Sequence, residues 1–80
     1  MKIQANKITD IAVKFSNFMF EDCAESGYDH KAREVAFKEF CAAAEDMKLD
    51  IPQAKDLAHI GNANYKYLKE QGDSLVEVEI

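Results

Sequence analysis

The sequence predicts an all-α fold, a small antiparallel three-helix bundle with a short extended segment at its C-terminal end. Three observations carry that reading. Two long apolar stripes of helical period mirror each other about a Gly-containing turn, a third stripe opens on a strong helix start and closes at a glycine, and period two appears only at the two ends. In the first two stripes, positions that sum to about 55 face each other: Ile8 and Met47, Ala12 and Ala43, Phe15 and Phe40, Phe18 and Phe37, Met19 and Ala36, Cys23 and Ala32. Residues three or four apart share a helix face, so this is the register of a helical hairpin turning at Ser26-Gly27-Tyr28-Asp29.

Met1 to Ala5 alternates, with Met1, Ile3 and Ala5 on one side and Lys2 and Gln4 on the other, as a strand or extended arm would. The first helix is expected over about 7–26, with Asn6 or Thr9 as N-cap, Ile8, Ile11, Ala12, Phe15, Phe18, Met19 and Cys23 inward, and Gly27 ending it. The second is expected over about 29–48, capped by Asp29, with Ala32, Ala36, Phe40, Ala43, Ala44 and Met47 inward. The small side chains of Cys41-Ala42-Ala43-Ala44 invite a third helix to cross there. That helix is expected over about 52–71. Asp50-Ile51-Pro52-Gln53 reads as a capping box with an early Pro, and Ala54, Leu57, Ala58, Gly61, Tyr65 and Leu68 form its stripe, with Gly72 as its stop. Gly61-Asn62-Ala63-Asn64 is its weak place, where the helix bends or divides into two. Over 74–80 the period is two again, with Val76, Val78 and Ile80 on one face and Leu75, Glu77 and Glu79 on the other. Such a strand needs a partner for its backbone groups, and Lys2 and Gln4 would complement Glu77 and Glu79.

At 80 residues the chain is one domain, 1–80, and 48% hydrophobic with 31% charged residues is the composition of a globular protein. A domain of this size buries only about 60% of the surface its unfolded chain exposes, so a second copy would add stability. The net charge of −5 weighs against nonspecific phosphate binding, and nucleic acid is an unfavoured partner. Acidic residues concentrate around the first turn (Glu21, Asp22, Glu25, Asp29) and near the end (Glu70, Asp73, Glu77, Glu79), as solvated surface or as docking faces for a basic partner. No apolar stretch approaches the roughly 20 residues of a membrane span and no signal core precedes Lys7, so no membrane is involved and a cytoplasmic location is expected. The hairpin register holds Cys23 and Cys41 roughly 13 Å apart along the axis, too far for a disulfide.

Chemistry is not signalled. His30 and His59 belong to no ligand-spaced cluster, adjacent carboxylates such as Glu21-Asp22 and Glu45-Asp46 point about 100° apart on a helix, and Ser16, Ser26 and Ser74 sit in no nucleophile context. No catalytic residue, metal or cofactor is expected, and the protein is not read as an enzyme. Gln53 to Leu68 resembles the helix-turn-helix motif of small regulators, which would make Asn62, Asn64, Tyr65 and Lys66 the start of a recognition helix. The spacing departs from that pattern, because Ala58 precedes Gly61 by three positions instead of four.

The apolar residues left over by the register are more informative. Val13 and Phe20 lie seven apart on a second face of the first helix, Val35 interrupts the polar side of the second, and Tyr65 and Tyr67 point to different sides of the third. The expected function is that of a small acidic protein-binding module, a homodimer acting as an inhibitor or adaptor of another protein, of the kind phages and mobile elements encode. Its interface candidates are Val13, Phe20, Val35, Tyr67, Leu75, Val76, Val78 and Ile80. The alternative is a small DNA-binding regulator using the Gly61 region.

Overall fold

A computed structural model of the chain describes residues 1–22 and 30–80. Its elements run β1 (Lys2–Gln4), α1 (Ala5–Asp22), α2 (His30–Asp46), α3 (Ile51–Ala63), α4 (Tyr65–Gln71) and β2 (Leu75–Glu77). The fold is all-α in character, and the described residues form four helices instead of three and a small two-stranded sheet. The turn at Ser26-Gly27-Tyr28-Asp29, the Asp29 cap and Cys23 lie outside the described residues.

The expected register of α1 and α2 is present. The Phe15 and Phe40 ring centroids lie 5.3 Å apart, those of Phe18 and Phe37 5.0 Å apart, and Asp22 pairs with Arg33, a third couple that sums to 55. Ile8, Ile11, Ala12 and Phe15 of α1 are buried against Ala36, Phe40, Ala43 and Ala44 of α2. Met47, expected inside α2, lies just past its end and packs at the edge of the core.

No glycine ends α2. Lys48 takes the left-handed conformation (φ 58°), the Leu49 N–H donates to the Ala44 carbonyl at 2.9 Å and the Lys48 N–H to that of Glu45 at 2.9 Å. This is a Schellman closure, and the buried Leu49 supplies the apolar contact that accompanies it. The start of α3 follows the sequence closely: the Gln53 N–H donates to Asp50 Oδ1 at 2.8 Å and the Asp50 N–H to Gln53 Oε1 at 3.1 Å, a complete capping box with Pro52 in the first turn.

The third helical segment divides in two at Asn64, within the Gly61-Asn62-Ala63-Asn64 stretch that the sequence marks as its weak place. The Asn64 backbone (φ −121°, ψ 25°) leaves the helical range, and its side-chain amide donates to the Ile60 carbonyl at 2.9 Å, the local competition with helix that Asn offers. The divided axis also moves Tyr65 out of the buried stripe, while Leu68 stays in it. Gly61 is not at this break. It lies inside α3, buried, where a Cβ would stand 2.8 Å from the Ile8 carbonyl oxygen and 2.9 Å from the Ala12 Cβ. The close crossing of α3 is therefore with α1 at Gly61, and not with α2 at the Ala run. α3 packs extensively on α1 and barely touches α2.

The ends of the chain meet. β1 pairs antiparallel with β2 in the register Lys2 to Glu77, Ile3 to Val76 and Gln4 to Leu75, so the C-terminal strand finds its partner within the chain. Lys2 faces Glu77 as expected, whereas Gln4 faces Leu75 and not Glu79. α1 starts at Ala5, two residues earlier than expected, because backbone carbonyls replace the anticipated side-chain cap: the Ala5 N–H donates to Ser74 at 2.9 Å and the Asn6 N–H to Gly72 at 2.9 Å. Gly72 makes this turn at φ 61°, ψ −121°, a conformation open to glycine. Thr9, freed from capping, is buried with its hydroxyl donating to the Asn6 carbonyl at 3.0 Å.

Two outcomes test this arrangement. Gly61→Ala should lower stability by about 1–3 kcal/mol through overpacking, despite the roughly 1 kcal/mol that Ala gains over Gly in a helix; urea unfolding of a variant as stable as the parent would contradict the crossing. Deleting Ser74 to Ile80 removes one of the two carbonyls that cap α1, the β2 strand and the buried Val78, and should cost at least about 2 kcal/mol. The loss should be seen in circular-dichroism melts as a fall in midpoint independent of protein concentration.

Candidate functional site

The core stops part of the way along the α1–α2 pair. No residue of α1 past Phe15 is buried, and none of α2 before Ala36. The apolar stripes nevertheless continue, so the far half of the pair carries large hydrophobic side chains in contact with water: Phe20 is 74% exposed, Val35 51%, Phe37 40% and Met19 38%. Phe18 and Phe37 stack at this end, with the Arg33 guanidinium 5.5 Å above the Phe18 ring. Among the described residues, the contacts that α3 makes with α1 fall at Ile8, Ala12 and Phe15, short of this end.

On one flank of this end, α1 and α2 form an open groove of about 520 Å³. Asn17, Phe20 and Glu21 line it from α1, and Lys31, Ala32, Val35, Ala36 and Glu39 from α2. Its lining is mostly apolar, and each helix also contributes one carboxylate, Glu21 and Glu39. Met19 and Phe37 were expected in the core and are instead exposed, because the hairpin register predicts which residues face each other but not where the covering helix ends.

The interface candidates fall on different surfaces. Phe20 and Val35 come together in the groove. Val13 is exposed on the same helix but does not line it. Exposed Tyr67 lines a smaller cleft of about 220 Å³ with Ile60, Leu68 and Val76, between α4 and β2. Leu75 is exposed beside Met1, Ile3 and Met47. Val78 is buried in the core, and Val76 and Ile80 pack against it half-buried, so the alternation of the C-terminal strand is accounted for by packing within the chain.

His59 lies exposed with its ring edge-on to Phe15 at 5.4 Å, closing one side of the core. Cys41 is a half-buried free thiol. Among the described residues, no three His, Cys, Asp or Glu side chains are grouped as a metal site would require, and no helix is long and apolar enough to cross a membrane. The segment resembling a helix-turn-helix does not take that shape. Gly61 is a packing position inside α3, and Asn64 alone separates α3 from α4 where the motif has a turn of three or four residues. Compared with protein-family models, with curated proteins and with solved structures, the chain matches none.

The exposed aromatic ring can be told from the buried one by mutation. Phe40→Ala should cost about 3–5 kcal/mol, whereas Phe20→Ser should change stability by no more than about 0.5 kcal/mol. Paired urea titrations in which Phe20→Ser was as damaging as Phe40→Ala would place Phe20 in the core and remove it from the surface.

Proposed function

We propose that this chain is a small protein-binding module, acting by contact with another protein in the manner of an inhibitor or adaptor and not by bond chemistry. The observation that carries this reading is the far half of the α1–α2 pair, where Phe20 and Val35 stay exposed in the groove and Met19 and Phe37 are exposed outside it. Leaving a large apolar side chain such as Phe20 in water forgoes burial worth about 1.5–3 kcal/mol, and exposed apolar surface rimmed by polar residues characterises interaction sites. Phe20 suits an anchor role, since large aromatic side chains concentrate binding energy at interfaces. The acidic charge and the apolar content fit a cytoplasmic module of this type.

With its contact surface uncovered, the chain is expected to self-associate as a homodimer through the same end. Sedimentation equilibrium should show association that weakens by at least about tenfold in Phe20→Asp with Val35→Asp, a loss of the size expected when hot-spot residues are removed. Helix content should remain that of the parent. Identical sedimentation of the parent and the double variant, with neither retaining any bound protein, would reject the reading.

A further inference from the structure

The groove carries information about what fits it. Its apolar lining is Ala32, Val35, Ala36 and Phe20, and two carboxylates also line it, Glu21 from α1 and Glu39 from α2. Asp22 and Glu34 at this end are engaged, Asp22 with Arg33 and Glu34 with Lys38. Glu21 and Glu39 make no ion pair among the described residues. Lys31, the cation that also lines the groove, has an interaction of its own.

Backbone accounting restricts the occupant further. α1 and α2 use their N–H and C=O groups within their own ladders, so the groove offers none to an incoming chain. An extended peptide would find no strand edge there to pair with and would gain no main-chain hydrogen bonds from the groove, while a helix arrives with its own groups satisfied. Along α2 the groove spans residues 31–39, about 12 Å or two helical turns, which accommodates two apolar side chains three or four positions apart.

We propose that the occupant is a basic amphipathic helix of another protein, with two apolar anchors seated against Phe20 and Val35 and Lys or Arg on its flanks meeting Glu21 and Glu39. This rests on the protein-binding reading and specifies the partner's chemistry. A basic helix is more complementary to this end than the second copy that self-association would place there, because a copy of net charge −5 brings the same two carboxylates back to the groove, so the helix is expected to compete with the dimer.

The test uses the full chain and a synthetic amphipathic helix of about four turns, built of Leu and Lys at helical spacing, with a Leu and Glu counterpart as control, read by fluorescence anisotropy. The Lys peptide should bind and the Glu peptide should not. Glu21→Gln with Glu39→Gln should weaken binding about fivefold, and Phe20→Ala about tenfold. Glu70→Gln with Asp73→Asn, the same change of charge away from the groove, should leave binding unaltered. Equal losses from the two carboxylate pairs would indicate attraction by overall charge and overturn the proposal. Failure of the Lys peptide to bind, while Phe20→Asp with Val35→Asp still abolishes self-association, would reject the basic helix and leave the groove as a surface for a second copy. Absence of both effects would reject the protein-binding reading as well.

Discussion

The close approach of α3 to α1 at Gly61 is the constraint on which the remaining architecture depends. With hydrogen in place of a side chain, the α3 backbone comes near enough to α1 that a Cβ would stand 2.8 Å from the Ile8 carbonyl oxygen. That contact commits α3 to α1 and takes it away from α2. α1 becomes the central element, packed on α2 along one side and on α3 and α4 along another, with Phe15 between the Phe40 ring and the His59 edge. The turn after α4 then returns to the start of α1, where the Gly72 and Ser74 carbonyls satisfy the first two helical N–H groups.

Everything open about the molecule follows from the same geometry. The contacts of α3 with α1 at Ile8, Ala12 and Phe15 seal the first part of that helix, and past Phe15 no described residue of α1 is buried. α2, with few neighbours besides α1, buries only Ala36, Phe40, Ala43 and Ala44. The apolar stripe that seals the core at Phe15 and Phe40 emerges at Phe18 and Phe37 and continues into water at Met19, beside Phe20 on the second face of the helix. The same residue pattern is core at one end and surface at the other, and the exposed groove follows from where α3 crosses.

Legibility in the sequence varied with the range of the interactions involved. The pairing of Phe15 with Phe40 and of Phe18 with Phe37 was readable because a helix has a fixed period and a hairpin mirrors it. The capping box of Asp50 and Gln53 was readable because it is complete within four residues, and the alternation of Val76, Val78 and Ile80 because a strand has two faces. Phe20 and Val35 stood out as surplus to the register. Their meeting in one groove with Glu21 and Glu39 could not be read, since it depends on how α1 and α2 lie beside each other. The early start of α1 at Ala5 was hidden for a similar reason: its caps are carbonyls nearly seventy positions away, and carbonyls leave no mark on residue identity.

By itself, the sequence determined the helical class, the facing of the first two helices, the start of α3 and the two-faced C-terminal strand, all of which rest on periodicity and on contacts within a turn or two. Only the tertiary structure decided that this strand pairs with β1 of its own chain, that Gly61 is a crossing point and not a hinge, that Asn64 divides the last long helix, and that Met19 and Phe37 face water. Each of those outcomes depends on the placement of one element against another distant in the chain, where a side chain's neighbours are set by distances in space.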